Sequence, residues 1–191
     1  MLNKASLALL LPLAACAGGG LPPFVRLPPD AIPVAADPMR SAILSTAYTF
    51  NRESSPSAKL RAAALVEFMA ADYRWGVHWA EYSPTTGLAL DAARNEIHQA
   101  FGIPSSAAPQ AVADGLFAAS RALDRGLEID LPPAVFPQPQ TSLARLNTPP
   151  ALPLTATATA MAERELYRIE SERHSGGGPG GSGGDGGDAR P

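Results

Sequence analysis

Asp72, Trp75, His78, Trp79 and Tyr82 are the residues of this chain whose types and spacing could do chemistry. Leu65, Phe68, Asp72, Trp75, Trp79 and Tyr82 follow one another at intervals of three and four. That spacing sets a carboxylate and a series of aromatic rings on one face of a helix. Such a face could line a pocket for an apolar or sugar-like ligand. The plainer reading is a core built of large side chains, with the indole N–H groups finding acceptors. Asp72 is the odd member, because a carboxylate buried without a partner is costly. Structurally, an arginine from another helix would neutralise it, or it would lie at the edge of the stripe. Functionally, it would be a ligand-binding or acid–base group. His78 falls near the C-terminus of the expected helix, where the dipole favours the charged imidazole. Arg74, one turn earlier, opposes that charge.

Other chemistry is thinly represented. The histidines stand at 78, 98 and 174, with no His-Glu-x-x-His motif. Glu96 and His98 are two positions apart and point to different faces of a helix. No metal and no cofactor is expected. There is no Gly-x-Ser-x-Gly elbow and no phosphate-binding glycine loop. A hydrolase would need a serine or carboxylate hydrogen-bonded to His78 or His98, so the chain reads as a non-enzymatic protein. A net charge of −3 lacks the basic footprint of a nucleic-acid binder.

Cys16 is the only cysteine, and it ends the tetrad Leu13-Ala14-Ala15-Cys16 behind the apolar run Leu7 to Leu13. One basic residue, Lys4, precedes that run, which is far shorter than the ~20 residues of a spanning helix. This arrangement resembles the signal peptide and lipobox of bacterial lipoprotein precursors over about residues 1–17. The resemblance implies cleavage before Cys16, acylation of that cysteine and attachment to a membrane through the lipid. With Ala17 in the next position, it implies the periplasmic face of the outer membrane of a Gram-negative bacterium. An envelope protein is the expected partner of a domain displayed there, although the resemblance itself covers only the processing. A second cut fits the small-x-small rule at Ala15-Cys16-Ala17. Cleavage there would discard the cysteine and release a soluble domain.

The elements that must position these residues are helical. Residues 1–15 form the signal peptide. Residues 16–36, with Pro22, Pro23, Pro28, Pro29 and Pro33, read as an extended tether, an inert spacer unless Phe24, Val25 and Leu27 dock back. Helix starts are marked by Asp37-Pro38 and Ser55-Pro56, a cap followed by proline in the first turn. The first helix should stop near Ser54, and the second should run to about Glu81. A third should span Leu88 to Phe101 after a tight connection over Ser83 to Gly87. Gly102-Ile103-Pro104 is a glycine stop. A fourth helix fits Pro109 to Arg125, with a second stop at Gly126-Leu127. Residues 37–130 thus form a small antiparallel bundle of about four helices. A proline-rich segment over 131–153 follows, with a short turn at Ser142 to Leu146. Residues 154–174 form a separate C-terminal helix with a weak apolar stripe (Ala158, Met161, Ala162, Ile169), in which Glu170 can pair with Arg173 or His174. Nine of the twelve residues from Gly176 are glycine, so 175–191 reads as a disordered tail. The expected class is all-α. Its expected roles are an interaction module on a lipid anchor or a binding module for a small hydrophobic ligand at Trp75, Trp79 and Tyr82.

Overall fold

The computed structural model describes residues 24–32, 37–52 and 54–175. Leu13, Ala14, Ala15 and Cys16, the remainder of the tether and the glycine-rich segment from Gly176 lie outside the described residues. Among those described the chain is all-helical: α1 (Pro38–Asn51), α2 (Pro56–Asp72), α3 (Pro84–Phe101), α4 (Pro109–Arg125), α5 (Pro139–Asn147) and α6 (Pro153–Ser175), with a single 3-10 turn at Val77–Trp79.

Every one of these α-helices begins with proline. Proline lacks the N–H that a first turn leaves unpaired, and its fixed φ suits helix entry. Side chains cap three of the starts: Asp37 accepts from the amides of Met39 and Arg40, Ser55 from Ala58, and Ser83 from Thr85. For α6 the acceptor comes from another helix. Glu96 of α3 accepts from the amides of Leu154 (3.0 Å) and Thr155 (2.7 Å). The glycine stops fall where expected, with Gly102 and Gly126 at φ 72° and 63°. The amides of Ile103 and Leu127 close the last turns on the carbonyls of His98 and Ala122.

The bundle is assembled differently from the sequence expectation. α1, α2, α3 and α6 close a ring, each packed on the next, and α4 lies against the outer side of α2. α6 is therefore a wall of the bundle and not a separate helix. Its buried positions are Thr155, Ala158, Thr159, Ala162, Leu166 and Ile169, a full helical stripe with threonine at two of its positions. The Thr159 hydroxyl donates to the Thr155 carbonyl (2.9 Å), and the Thr155 hydroxyl donates to Glu96 (2.7 Å). Once those hydroxyls are paired, each threonine turns a methyl group to its neighbours. The expected pairing of Glu170 with Arg173 or His174 side chains gives way to longer-range pairs, Glu170 with Arg40 of α1 (2.7 Å) and Arg173 with Glu81 in the connection between α2 and α3 (2.9 Å).

Neighbours in the ring run antiparallel. The start of α1 meets the end of α6 through Arg40 and Glu170, and its end meets the start of α6 where the Asn51 amide donates to the Ala156 carbonyl. α2 is the central helix, and Ala62, Ala63, Ala64, Leu65 and Val66 are all buried in succession. A helix enclosed on all sides carries apolar residues all round, and the alanines of α2 let neighbours approach closely.

α2 ends at Asp72, nine residues before the expected Glu81. The amides of Trp75 and Gly76 fold back onto the Asp72 carbonyl at 2.9 and 2.7 Å. A Cβ at Gly76 would collide with the Asp72 carboxylate, so the bare Cα lets that carboxylate keep its place beside the turn. α3 begins at Pro84, four residues before Leu88, because Ser83-Pro84 repeats the cap chemistry of Ser55-Pro56. Gly87 is helical there and takes the Tyr73 ring against its bare Cα. The turn at Ser142 to Leu146 is part of the longer helix α5.

Residues 24–32 are not a free spacer. Val25 is buried against Ala71, Ala113 and Phe68, and Ala31 joins the main core. Gln110 of α4 bonds both backbone polar groups of Arg26, accepting from its N–H (2.7 Å) and donating to its carbonyl (3.2 Å). Arg121 forks onto the Asp30 carboxylate at 2.7 and 2.5 Å, and Arg61 donates to the Asp30 carbonyl at 3.0 Å. The segment is a strap clamped across α2 and α4.

Candidate functional site

The early end of α2 redistributes the residues expected to share one helical face. Trp79 is carried by the 3-10 turn into the core and is 4% exposed. Its indole N–H donates to Asp72 Oδ2 at 3.1 Å. That bond meets the need for a partner at Asp72 without an arginine. Tyr73 and Tyr82 flank the indole, with ring centres 5.0 and 4.8 Å away in tilted and edge-on geometry. The Tyr73 hydroxyl donates to the Ser83 carbonyl at 2.9 Å. Burial pushes the Tyr82 phenol up to about 12 from its ordinary 10.0. Trp75, in contrast, points outward and is 57% exposed. His78 is exposed.

The five candidates therefore do not line one pocket. Asp72 and His78 stand at one end of a groove walled by Leu27, Pro38, Met39 and Phe68, about 390 Å³ in volume. His78 and Tyr82 face a second, narrower cleft between α1 and α6, with Arg40, Glu170 and Arg173 on its walls. Trp79 and Tyr82 edge a third hollow beside Gly87 and Leu88. Trp75 lines none of these three. The first groove joins the strap to α1 and α2, and its apolar walls with a carboxylate and an imidazole at one end suit an amphipathic guest.

The most enclosed polar cluster lies elsewhere and escaped the sequence reading. Glu67 of α2 is 1% exposed and accepts from Arg94 Nε at 2.8 Å and from His98 Nε2 at 2.9 Å, both on α3. His98 is buried as well. Arg94 and His98 are four apart on one face of α3, and Glu67 interrupts an apolar stretch of α2. Those two signals mark its members on each helix without joining them. It satisfies a buried carboxylate through a charge-assisted pair and a ring N–H. His98 thus has the carboxylate partner that a hydrolase would need, but both groups face the closed interior. Glu96 and His98 do diverge as their spacing requires, Glu96 toward α6 and His98 toward α2.

Among the described residues no group of three or more His, Cys, Asp or Glu could hold a metal ion. No helix there is long and apolar enough to cross a membrane. No family model, curated protein or solved structure matches the chain.

Proposed function

We propose that this chain is a lipid-anchored protein of the cell envelope, acylated at Cys16 and held at the periplasmic face of the outer membrane, where its helical bundle serves as a non-enzymatic module for an envelope protein partner. The observation that carries this reading is the tetrad Leu13-Ala14-Ala15-Cys16 behind a short basic and apolar run, with no other cysteine in the chain. The clamped strap supports it. An N-terminal tether transmits position only if its far end is fixed to the domain, and residues 24–32 are fixed to α2 and α4 by side-chain bonds from Arg61, Gln110 and Arg121. The enclosed polar groups also fit a structural use. Glu67, Arg94 and His98 bind one another, Glu96 caps α6, and Asp72 holds Trp79.

Acyl chains contribute about 0.8 kcal/mol per buried methylene, so several chains hold the protein on the bilayer without help from the polypeptide. Cys16→Ser should move the protein from the membrane fraction to the soluble fraction while its circular dichroism and melting temperature stay unchanged. A variant that remains with the membrane contradicts acylation as the anchor.

A second reading is favoured by the groove of Leu27, Pro38, Met39 and Phe68. It would take a small molecule with an apolar body and a basic head directed at Asp72. This replaces the aromatic cluster of Trp75, Trp79 and Tyr82 as the place for a ligand, since Trp79 is core. Titration with a long-chain alkylammonium should quench Trp79 in wild type and not in Asp72→Asn. Equal quenching in both removes this reading.

A further inference from the structure

We infer that the end of the bundle from which the N-terminus emerges is a membrane-contact surface, in which Trp75, Val77, Phe24 and Leu88 enter the lipid interface. The inference rests on the lipid-anchor reading and specifies which face of the domain the anchor presents to the bilayer.

Helix directions define this end. The C-terminus of α2 and the N-termini of α1, α3 and α4 all lie there, as does the C-terminus of α6. The antiparallel pairs show it: Arg74 just after α2 reaches Asp91 near the start of α3 (3.0 Å), Ser120 of α4 donates to the Ser57 carbonyl at the far end of α2, and Arg40 meets Glu170. The strap runs toward the same end. Asp30 is held by Arg61 and Arg121, whereas Val25 packs on Ala71 and Ala113, more than two turns further along α2 and back along α4. Phe24 is thus delivered to the end where α2 stops.

The exposed apolar side chains concentrate there. Phe24 (56%), Trp75 (57%), Val77 (84%) and Leu88 (70%) are four of the eight large apolar residues exposed among those described. Leu127 and Leu154 stand at the opposite end, after α4 and at the start of α6. Trp75 and Val77 are held out by the turn that Gly76 and Asp72 create, on a backbone tied down by the amides of Trp75 and Gly76. An indole with an apolar body and one polar N–H favours the boundary between headgroups and acyl chains. Arg74 beside Trp75 is already paired with Asp91, so attraction to anionic lipid is not required.

Chain length selects the occupant. From Cys16 to Phe24 is eight residues, a path of at most about 29 Å when fully extended. An acylated Cys16 sits at the bilayer surface. That span keeps the Phe24 end, where the tether joins the domain, within reach of the headgroups.

The test uses the single cysteine. The exported chain, residues 16–191, is coupled through the Cys16 thiol to a maleimide-headgroup phospholipid in phosphatidylcholine vesicles, with plain or brominated acyl chains. Bromine quenches only indoles that reach the lipid. The expected result is a loss of tryptophan emission in brominated vesicles that disappears in Trp75→Phe, whose exposed position leaves the fold intact. Val77→Glu should weaken the quenching. Equal emission in plain and brominated vesicles, or quenching that survives Trp75→Phe, overturns the assignment and leaves this end to a protein partner. The coupling supplies the tether whether or not the cell acylates Cys16. The outcome therefore speaks for the surface alone, and the anchor is read separately from the mass of the native protein.

Discussion

Glu67 shows what one polar residue does inside a helix that is otherwise enclosed by apolar neighbours. Taking a carboxylate out of water is costly, and Arg94 and His98 offset that cost with bonds of 2.8 and 2.9 Å. Removing Glu67 leaves His98 buried and Arg94 half-buried without their counterpart. Glu67→Ala should therefore lower stability by about 3–5 kcal/mol, read as a shift in the urea midpoint. A loss under about 1 kcal/mol would mean that the cluster behaves like an exposed pair. The cluster was legible only in fragments. Arg94 and His98 have the spacing of one helical face, but nothing in a sequence says that the face meets position 67. Cys16 is the reverse case, a single residue whose neighbours in the chain carry the whole argument.

At the scale of elements, legibility followed the punctuation. α4 runs from Pro109 to Arg125 as its proline and Gly126 dictate. The interval of three and four continues past Gly76 and predicts a longer α2, while the chain turns there against Asp72. The stripe of α6 reads as weak in sequence because threonines stand in it, and a threonine whose hydroxyl is spent on a helix carbonyl or on Glu96 packs as an apolar residue. For the strap, proline-rich composition describes backbone stiffness and leaves spacer and docking both open; the structure takes the docked arrangement through Val25 and Leu27, with Phe24 exposed. Its clamp is pH-sensitive. The bond from Arg121 holds the Asp30 carboxyl down to about 2, from an ordinary value of 3.8. A lowered folded-state pKa means that the clamp is complete above pH 3.8 and is lost as pH falls toward 2. Amides of residues 24–32 should exchange faster over that window, and Asp30→Asn should exchange fast throughout. Protection that persists at pH 2 in wild type would contradict the clamp.

For the whole molecule, α1, α2, α3 and α6 close a ring with α4 outside it, and the N-terminal strap is fixed to that frame through α2 and α4. The end where α2 stops and Phe24 lies carries four exposed aromatic and aliphatic groups, Phe24, Trp75, Val77 and Leu88. All of this acquires a cellular meaning through the tetrad at residues 13–16. The central claim is tested most directly by the intact mass of the native protein extracted from cell envelopes. The account predicts a chain that begins at Cys16 and carries added acyl mass. A chain beginning at Gly18 without lipid, or an uncut chain beginning at Met1, would contradict it.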